Sequence, residues 1–259
     1  MSFALITGAS GGIGLSIARE LAKRKINLLL VARSEQKLAE SCTQLAKEFG
    51  IQAEYLAVDL SAAGASQKVA DWVAQKSFAV SILINNAGYG LWGRVDSTPA
   101  EELNNMMQLN MVVVANLCQA FLPELKKHQQ SYILNVASTA AYQAVPTLST
   151  YAATKAFVVL FTRGLRYELK DSSVSVSCLS PGATSTSFVD RAGMSPSLKE
   201  KAEKFSMTAE AVARIGVNGM FNKKAEIIPG FANWLSVQLT YLTPKALPES
   251  IAAGLYKTK

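Results

Sequence analysis

Histidine is almost absent: His128 is the only one in 259 residues. Sites built on several imidazoles are excluded, and no metal site is expected. Chemistry that needs histidine falls to His128 or does not occur. His128 lies in Lys126-Lys127-His128-Gln129-Gln130, which reads as the solvated end of a helix, where a cation suits the helix dipole. Cysteine is scarce as well. Cys42, Cys118 and Cys178 are scattered and odd in number, which argues against a disulfide framework and for a reducing, cytoplasmic compartment. Charged residues make up 17% of the chain against 49% hydrophobic ones, enough to bury a core and too apolar for disorder. Long apolar runs are missing: Met111 to Leu122 is broken by Asn116 and Gln119 and falls short of the ~18–20 residues of a membrane span. The first residues, Met1 to Thr7, place no basic segment ahead of their apolar one, so no signal peptide is expected. Acidic residues are outnumbered, 26 − 19 giving a net charge of +7. The excess is spread in short groups such as Lys23-Arg24-Lys25, with no basic stripe interleaved with aromatics. Nucleic acid is therefore not an expected partner, and the charge serves solubility or attracts phosphorylated ligands.

What is present is regular alternation. Phe3 to Ile6, Leu28 to Val31, Tyr55 to Asp59, Ser81 to Asn85, Tyr132 to Val136 and Val174 to Leu179 are short, apolar, strand-like runs. Between them lie segments with apolar residues at helical spacing, such as Ile13, Ile17, Ala18 and Leu21. A long helical region is expected over Glu101 to Lys127 and a helix over Thr150 to Lys170. Near-continuous apolar strands alternating with helices predict an α/β fold: a doubly wound, Rossmann-type parallel sheet of about seven strands with helices on both faces. No linker or repeat divides the chain, so one domain over 1–259 is expected. Residues 185–223 turn polar and lysine-bearing, which suggests a lid over the substrate. Residues 229–259 form a tail rich in large apolar groups, expected above all to pack on the body.

The first strand runs into Thr7-Gly8-Ala9-Ser10-Gly11-Gly12-Ile13-Gly14. Glycines let backbone approach a pyrophosphate, and the helix that follows offers free N–H groups to it. The same residues, Gly8 to Gly12, also fit a nucleophile elbow, but its serine would need His128 as base. The second strand ends at Arg33 where an acid would accept the ribose hydroxyl of NAD. An arginine fork there suits a 2′-phosphate, which favours NADP(H) over NAD(H); an exposed loop arginine is the plain alternative. Tyr151 and Lys155 stand four apart, on one face of the predicted helix. An ammonium beside a phenol favours the phenolate and brings it toward the range useful for proton transfer. Ser138, at the end of the fifth strand, faces the same crevice outside the strands' carboxyl ends.

These motifs, in this order over residues 2–190, resemble the short-chain dehydrogenases/reductases in their shorter, non-extended branch. Thr7-Gly8-x-x-x-Gly12-x-Gly14 resembles that family's cofactor turn, Asp59-Leu60 its adenine-contacting position and Asn85-Asn86-Ala87-Gly88 its fourth-strand motif. The resemblance implies a catalytic set of Asn110, Ser138, Tyr151 and Lys155, and nicotinamide contacts from Pro181, Gly182 and Thr186. It implies that Ser138 binds a carbonyl oxygen, Tyr151 donates the proton, Lys155 holds the nicotinamide ribose, and Asn110 positions a water. Cofactor contacts are thus expected from Thr7, Gly8, Ser10, Gly12, Ile13, Gly14, Arg33, Asp59, Leu60, Asn86, Ala87, Gly88, Tyr151, Lys155, Pro181, Gly182 and Thr186.

Tyr89, Leu91, Trp92, Tyr142, Val145 and Phe188 are expected to line an apolar substrate pocket, with Trp234 as a further candidate. The activity expected is hydride transfer between nicotinamide and a small carbonyl or alcohol, in the direction of reducing a hydrophobic ketone or aldehyde. Two alternatives stand beside it: a non-catalytic NADP-binding redox sensor, and a membrane-peripheral reductase of acyl-chain carbonyls. Membrane contact is otherwise not expected. The helices around Met111–Leu122 and Phe157–Leu165 are apolar over much of their girth, and the family pairs through such helices, so a homodimer or homotetramer is expected.

Overall fold

In the computed structural model, residues 2–186, 188, 192, 193 and 206–255 are described. The strands are β1 (Phe3–Thr7), β2 (Asn27–Ala32), β3 (Ala53–Ala57), β4 (Val80–Asn85), β5 (Ser131–Val136), β6 (Val174–Leu179), β7 (Thr184–Ser185), β8 (Met207–Thr208) and β9 (Glu226–Ile227). The helices are α1 (Gly12–Lys23), α2 (Glu35–Phe49), α3 (Ala65–Gln75), α4 (Ala100–Met107), α5 (Val113–Leu125), α6 (Ser149–Glu168), α7 (Ala209–Phe221), α8 (Phe231–Leu242) and α9 (Ala246–Leu255). Seven strands form one parallel sheet in the order β3-β2-β1-β4-β5-β6-β9, and β7 pairs with β8 beside it. This is the doubly wound Rossmann-type α/β fold that the alternating pattern predicts.

Apolar strands fill both faces because successive side chains point to opposite sides. Ile6, Leu28, Leu30, Ile84 and Leu134 pack under α1 and α7, with Ile17, Leu21, Val212 and Val217. Leu5, Leu29, Val31, Leu83 and Ile133 pack on the other face, against Val69 of α3 and Leu117 and Phe121 of α5. The chain order reverses between β1 and β4, so a crevice opens there at the carboxyl ends of the strands.

Three features depart from the sequence expectation. The helix expected over Glu101 to Lys127 is interrupted by a π-helical turn, Gln108–Val112, between α4 and α5. Together Ala100–Leu125 is long and apolar enough, by length and composition, to cross a membrane. However, Val113, Val114, Leu117, Cys118, Phe121 and Leu125 bury one side of α5 in the protein. The tail, expected to pack on the body, does so in part: Val237 of α8 and Ala252 of α9 are buried, while Phe231, Leu239, Tyr241 and Leu242 stay exposed. The cysteines are free and buried. His128 follows the end of α5, its Nε2 3.7 Å from Glu124. Of the expected lid, 187, 189–191 and 194–205, with Pro196 and Lys199, lie outside the described residues, while 209–221 is α7, which packs Val212 and Val217 into the core against the sheet and covers no substrate.

Candidate active site

The turn after β1 is closed by its own neighbours. Thr7 Oγ1 accepts from the backbone N–H groups of Asn86 and Ala87, both at 3.0 Å. Asn86 Nδ2 donates back to the Thr7 carbonyl at 2.9 Å. Gly8 and Gly12 have φ of +67° and +53°, the left-handed region that glycine enters without strain. A Cβ at Gly14 would lie 2.3 Å from the Gly8 carbonyl oxygen, so side chains are barred at this crossing. Helix α1 begins directly behind it with no side-chain cap and no acid in its first turn. Its first N–H groups and positive dipole end therefore suit an anionic group. Ser10 and Ile13 are partly exposed at this end, and a Cβ at Gly12 would touch Thr186 at 3.1 Å.

Arg33 follows β2 and is exposed at the same edge. Asp59 is exposed beyond β3, and its carboxylate accepts from the Ser61 N–H and hydroxyl. Leu60, by contrast, is buried in the core. It can contribute to a nucleotide site through its backbone but presents little side chain there.

The centre of the site is assembled from β5 and α6. Ser138 leaves β5 extended and caps a short 3₁₀ turn, Thr139–Tyr142, its hydroxyl accepting from the Ala140 N–H. One helical face of α6 carries Tyr151 and Lys155, both buried. Lys155 Nζ donates to the Val136 carbonyl at 2.9 Å, two residues before Ser138. The same nitrogen lies 5.9 Å from the centre of the Tyr151 ring. Burial pulls the ammonium down to about 8, because the charged form loses its hydration.

Asn110 enters from the π-helical turn and is fully buried. Its Nδ2 donates to the Tyr89 carbonyl at 2.9 Å and to Thr154 Oγ1 at 3.0 Å, and its Oδ1 accepts from the Tyr89 N–H. Gly88 fits between these groups: a Cβ there would be 2.9 Å from Asn110 Oδ1 and 3.2 Å from Lys155 Nζ. Tyr151, Lys155, Asn110 and Gly88 thus share one neighbourhood, and Ser138 stands two residues beyond the Val136 carbonyl that holds Lys155.

Pro181 and Gly182 close the same neighbourhood from β6. The Pro181 carbonyl accepts from the Thr139 N–H at 2.9 Å, which ties this loop to the Ser138 turn. Gly182 lies under α8, where a Cβ would be 2.5 Å from Asn233 Oδ1.

An apolar cluster packs around Tyr151. Met106, Val145, Leu148, Tyr151 and Ala152 form a buried cluster, with Tyr89, Leu91, Trp92 and Phe188 packed against it. The Phe188 and Tyr151 rings are 5.4 Å apart. Tyr142 belongs to a different cluster, with Val158 and Cys178. Its hydroxyl bonds Ser180 Oγ at 2.9 Å and donates to the Glu226 carboxylate, and its ring faces Tyr241 at 6.3 Å. Burial and Glu226 together push that phenol well above its ordinary value, so it stays a donor. Trp234 points outward from α8 and is exposed.

Three residues of this neighbourhood carry no obvious signal in the sequence. Thr154 holds the Asn110 amide, Gly90 admits Tyr151 and Phe188 within 3.3 Å and 2.9 Å of where its Cβ would be, and Glu226 receives Tyr142. The Gly88-Tyr89-Gly90 pairing was the one available hint, since two glycines so close mark tight backbone approach.

Comparison with known proteins identifies the family. The short chain dehydrogenase family model matches residues 2–196. The ketoacyl reductase HetN of Nostoc sp. is 30% identical over 226 residues, covering 86% of this chain and 77% of its own. A short-chain dehydrogenase from Sphingobium yanoikuyae, solved in complex with NADPH, superposes with a TM-score of 0.83 at 30% identity, covering 93% of this chain and 94% of the other. A short chain dehydrogenase/reductase from Burkholderia phymatum, solved with NAD, gives a TM-score of 0.83 at 25% identity, with 92% of each chain covered. The chain belongs to the short-chain dehydrogenase family of oxidoreductases, which act on small carbonyl and alcohol compounds.

Proposed function

We propose that this protein is a cytoplasmic NADP(H)-dependent carbonyl reductase of hydrophobic ketones or aldehydes. The observation that carries the reading is the joint placement of Tyr151, Lys155 and Asn110 beside the end of β5. Lys155 is fixed to Val136 O, and Asn110 is locked by three hydrogen bonds.

The residues present fit a dinucleotide. The uncapped start of α1 and the glycine turn take the pyrophosphate, Arg33 the 2′-phosphate, and Pro181, Gly182 and Thr186 the nicotinamide end. The cofactor, when bound, supplies the hydride. Ser138 hydrogen-bonds the substrate oxygen, and Tyr151 gives that oxygen its proton. Lys155 holds ribose hydroxyls and, as a neighbouring cation, makes the phenol a stronger acid. Donors fixed in advance at the oxygen meet the charge that develops there, the interaction of greatest weight in such steps. Asn110 holds a water between Lys155 and solvent protons. Leu91, Trp92, Val145 and Phe188 exclude water and select apolar substrates. The likeness to a ketoacyl reductase points the same way, toward carbonyls on acyl chains.

The chain is read as one domain over 1–259. It is read as a homodimer or homotetramer, with Val112 of the π-helical turn and Phe157, Leu160 and Tyr167 of α6, all exposed, as the contact. Turnover is tested with a panel of ketones, aldehydes and acyl-chain carbonyls, followed by loss of NADPH absorbance; no turnover across the panel contradicts the reading. Arg33→Ala is expected to weaken NADPH binding at least tenfold and leave NADH unchanged. Equal losses for both cofactors remove the role given to Arg33.

A further inference from the structure

Between Tyr151, Lys155 and Asn110 stands a fourth buried polar side chain. Thr154 precedes Lys155 in α6 and is 1% exposed. A hydroxyl inside a helix bonds readily to the carbonyl one turn back. Thr154 Oγ1 does so, donating to the Tyr151 carbonyl at 2.7 Å. That carbonyl oxygen only accepts, so the single hydroxyl proton is committed to it. What remains at Oγ1 is acceptor capacity, and the Asn110 amide fills it, its Nδ2 donating at 3.0 Å.

The amide is turned by the loop after β4. Nδ2 donates to the Tyr89 carbonyl at 2.9 Å, and Oδ1 accepts from the Tyr89 N–H at 3.2 Å. These two bonds set which end of the amide points which way, and both partners belong to one loop residue. The bond to Thr154 differs because it reaches α6, the helix that carries Tyr151 and Lys155. Three segments therefore meet at one amide: the loop, the π-helical turn that bears Asn110, and α6.

The other end of the amide lies toward Lys155. A Cβ at Gly88 would be 2.9 Å from Asn110 Oδ1 and 3.2 Å from Lys155 Nζ, so both atoms stand close to the same point. A shift of Asn110 away from α6 would change the spacing of these two polar ends. Valine has nearly the shape of threonine and would bury no polar atom here, so what the hydroxyl adds is the link to the amide.

We propose that Thr154 is a positioning residue of the reaction: its hydroxyl couples the backbone of Tyr151 to the Asn110 amide and so holds that amide at a fixed place beside Lys155. The link rests on the geometry alone; its effect on turnover rests on the reductase reading as well.

The test uses the full chain with Thr154→Val, which keeps the shape and removes the hydroxyl, and Thr154→Ser, which keeps the hydroxyl. Solvent exchange of the two Asn110 side-chain amide protons, followed by nitrogen-resolved NMR and assigned by their loss in Asn110→Asp, needs no substrate. Both protons are expected to exchange slowly in the wild type and in Thr154→Ser. In Thr154→Val one of the two is expected to exchange about tenfold faster, the loss of one hydrogen bond. On an accepted ketone, Thr154→Val is expected to lower kcat about tenfold with KM and NADPH affinity within about twofold of wild type, and Thr154→Ser to recover most of that kcat. Slow exchange of both protons in Thr154→Val, or wild-type kcat in that variant, overturns the proposal. So does a loss of kcat that Thr154→Ser shares in full, which assigns the position to packing. A wild type that reduces no ketone while the exchange pattern holds supports the link and overturns the reductase reading, so the two failures are told apart.

Discussion

Lys155 Nζ donates to the Val136 carbonyl at 2.9 Å, and this bond pins the middle of α6 to the last residue of β5. Burial of the ammonium lowers its pKa from 10.5 to about 8. Between those values the unfolded chain binds more protons than the folded one, so folding stability rises with pH across that window. Below pH 8 the full cost of burying the charge is present. Wild type is therefore expected to gain on Lys155→Met by up to about 3 kcal/mol as pH goes from 8 to 10.5. Urea melts of both proteins at the two ends of the window check this; a constant difference contradicts it.

The crossing of Gly14 over Gly8 makes a sharp prediction. A methyl group at Gly14 would meet Gly8 O at 2.3 Å and Asn86 Nδ2 at 2.5 Å. Gly14→Ala is expected to cost about 1–3 kcal/mol and to weaken cofactor binding at least tenfold. Gly164→Ala, on the exposed side of α6 with nothing within 4 Å, is expected to stabilise by about 0.5–1 kcal/mol. Thermal melts and NADPH titrations of the pair separate the two outcomes.

Tyr142 and Glu226 brace the turn that begins at Ser138. Tyr142→Phe removes two hydrogen bonds and leaves a part-buried carboxylate without its donor, at a cost of about 1–3 kcal/mol. The expected kinetic result is a lower kcat with KM little changed, because the turn loosens while the apolar pocket wall stays. Glu226→Gln keeps an acceptor for the phenol and is expected to lose less. Melting temperature and steady-state kinetics of both variants check the ordering.

The sheet was legible because each strand is a plain apolar run bounded by glycine or polar residues, as in Leu28 to Val31. Tyr151 and Lys155 were legible because a spacing of four fixes one helical face wherever the helix lies. Asn110 was less so. Its inward aim depends on the π-helical turn Gln108–Val112, which the apolar period through α4 and α5 does not reveal. Such turns gather at functional sites, and this one delivers an amide to Tyr89 and Thr154. Tyr142 looked like pocket lining because it is aromatic and near Ser138. Its true neighbour, Glu226, lies 84 residues away in sequence and only the pairing of β6 with β9 brings it near. The tail was legible only in part: apolar composition shows that a segment seeks cover, and Val237 and Ala252 find it within the chain while Phe231 and Leu242 do not.

Proton delivery by the Tyr151 phenol is the step on which the proposed reaction turns. The most direct measurement is turnover of Tyr151→Phe on an accepted ketone, with NADPH affinity measured alongside. The expected result is a kcat lower by about 10²–10⁴-fold with NADPH affinity within about threefold of wild type. A variant that keeps half the wild-type kcat contradicts it.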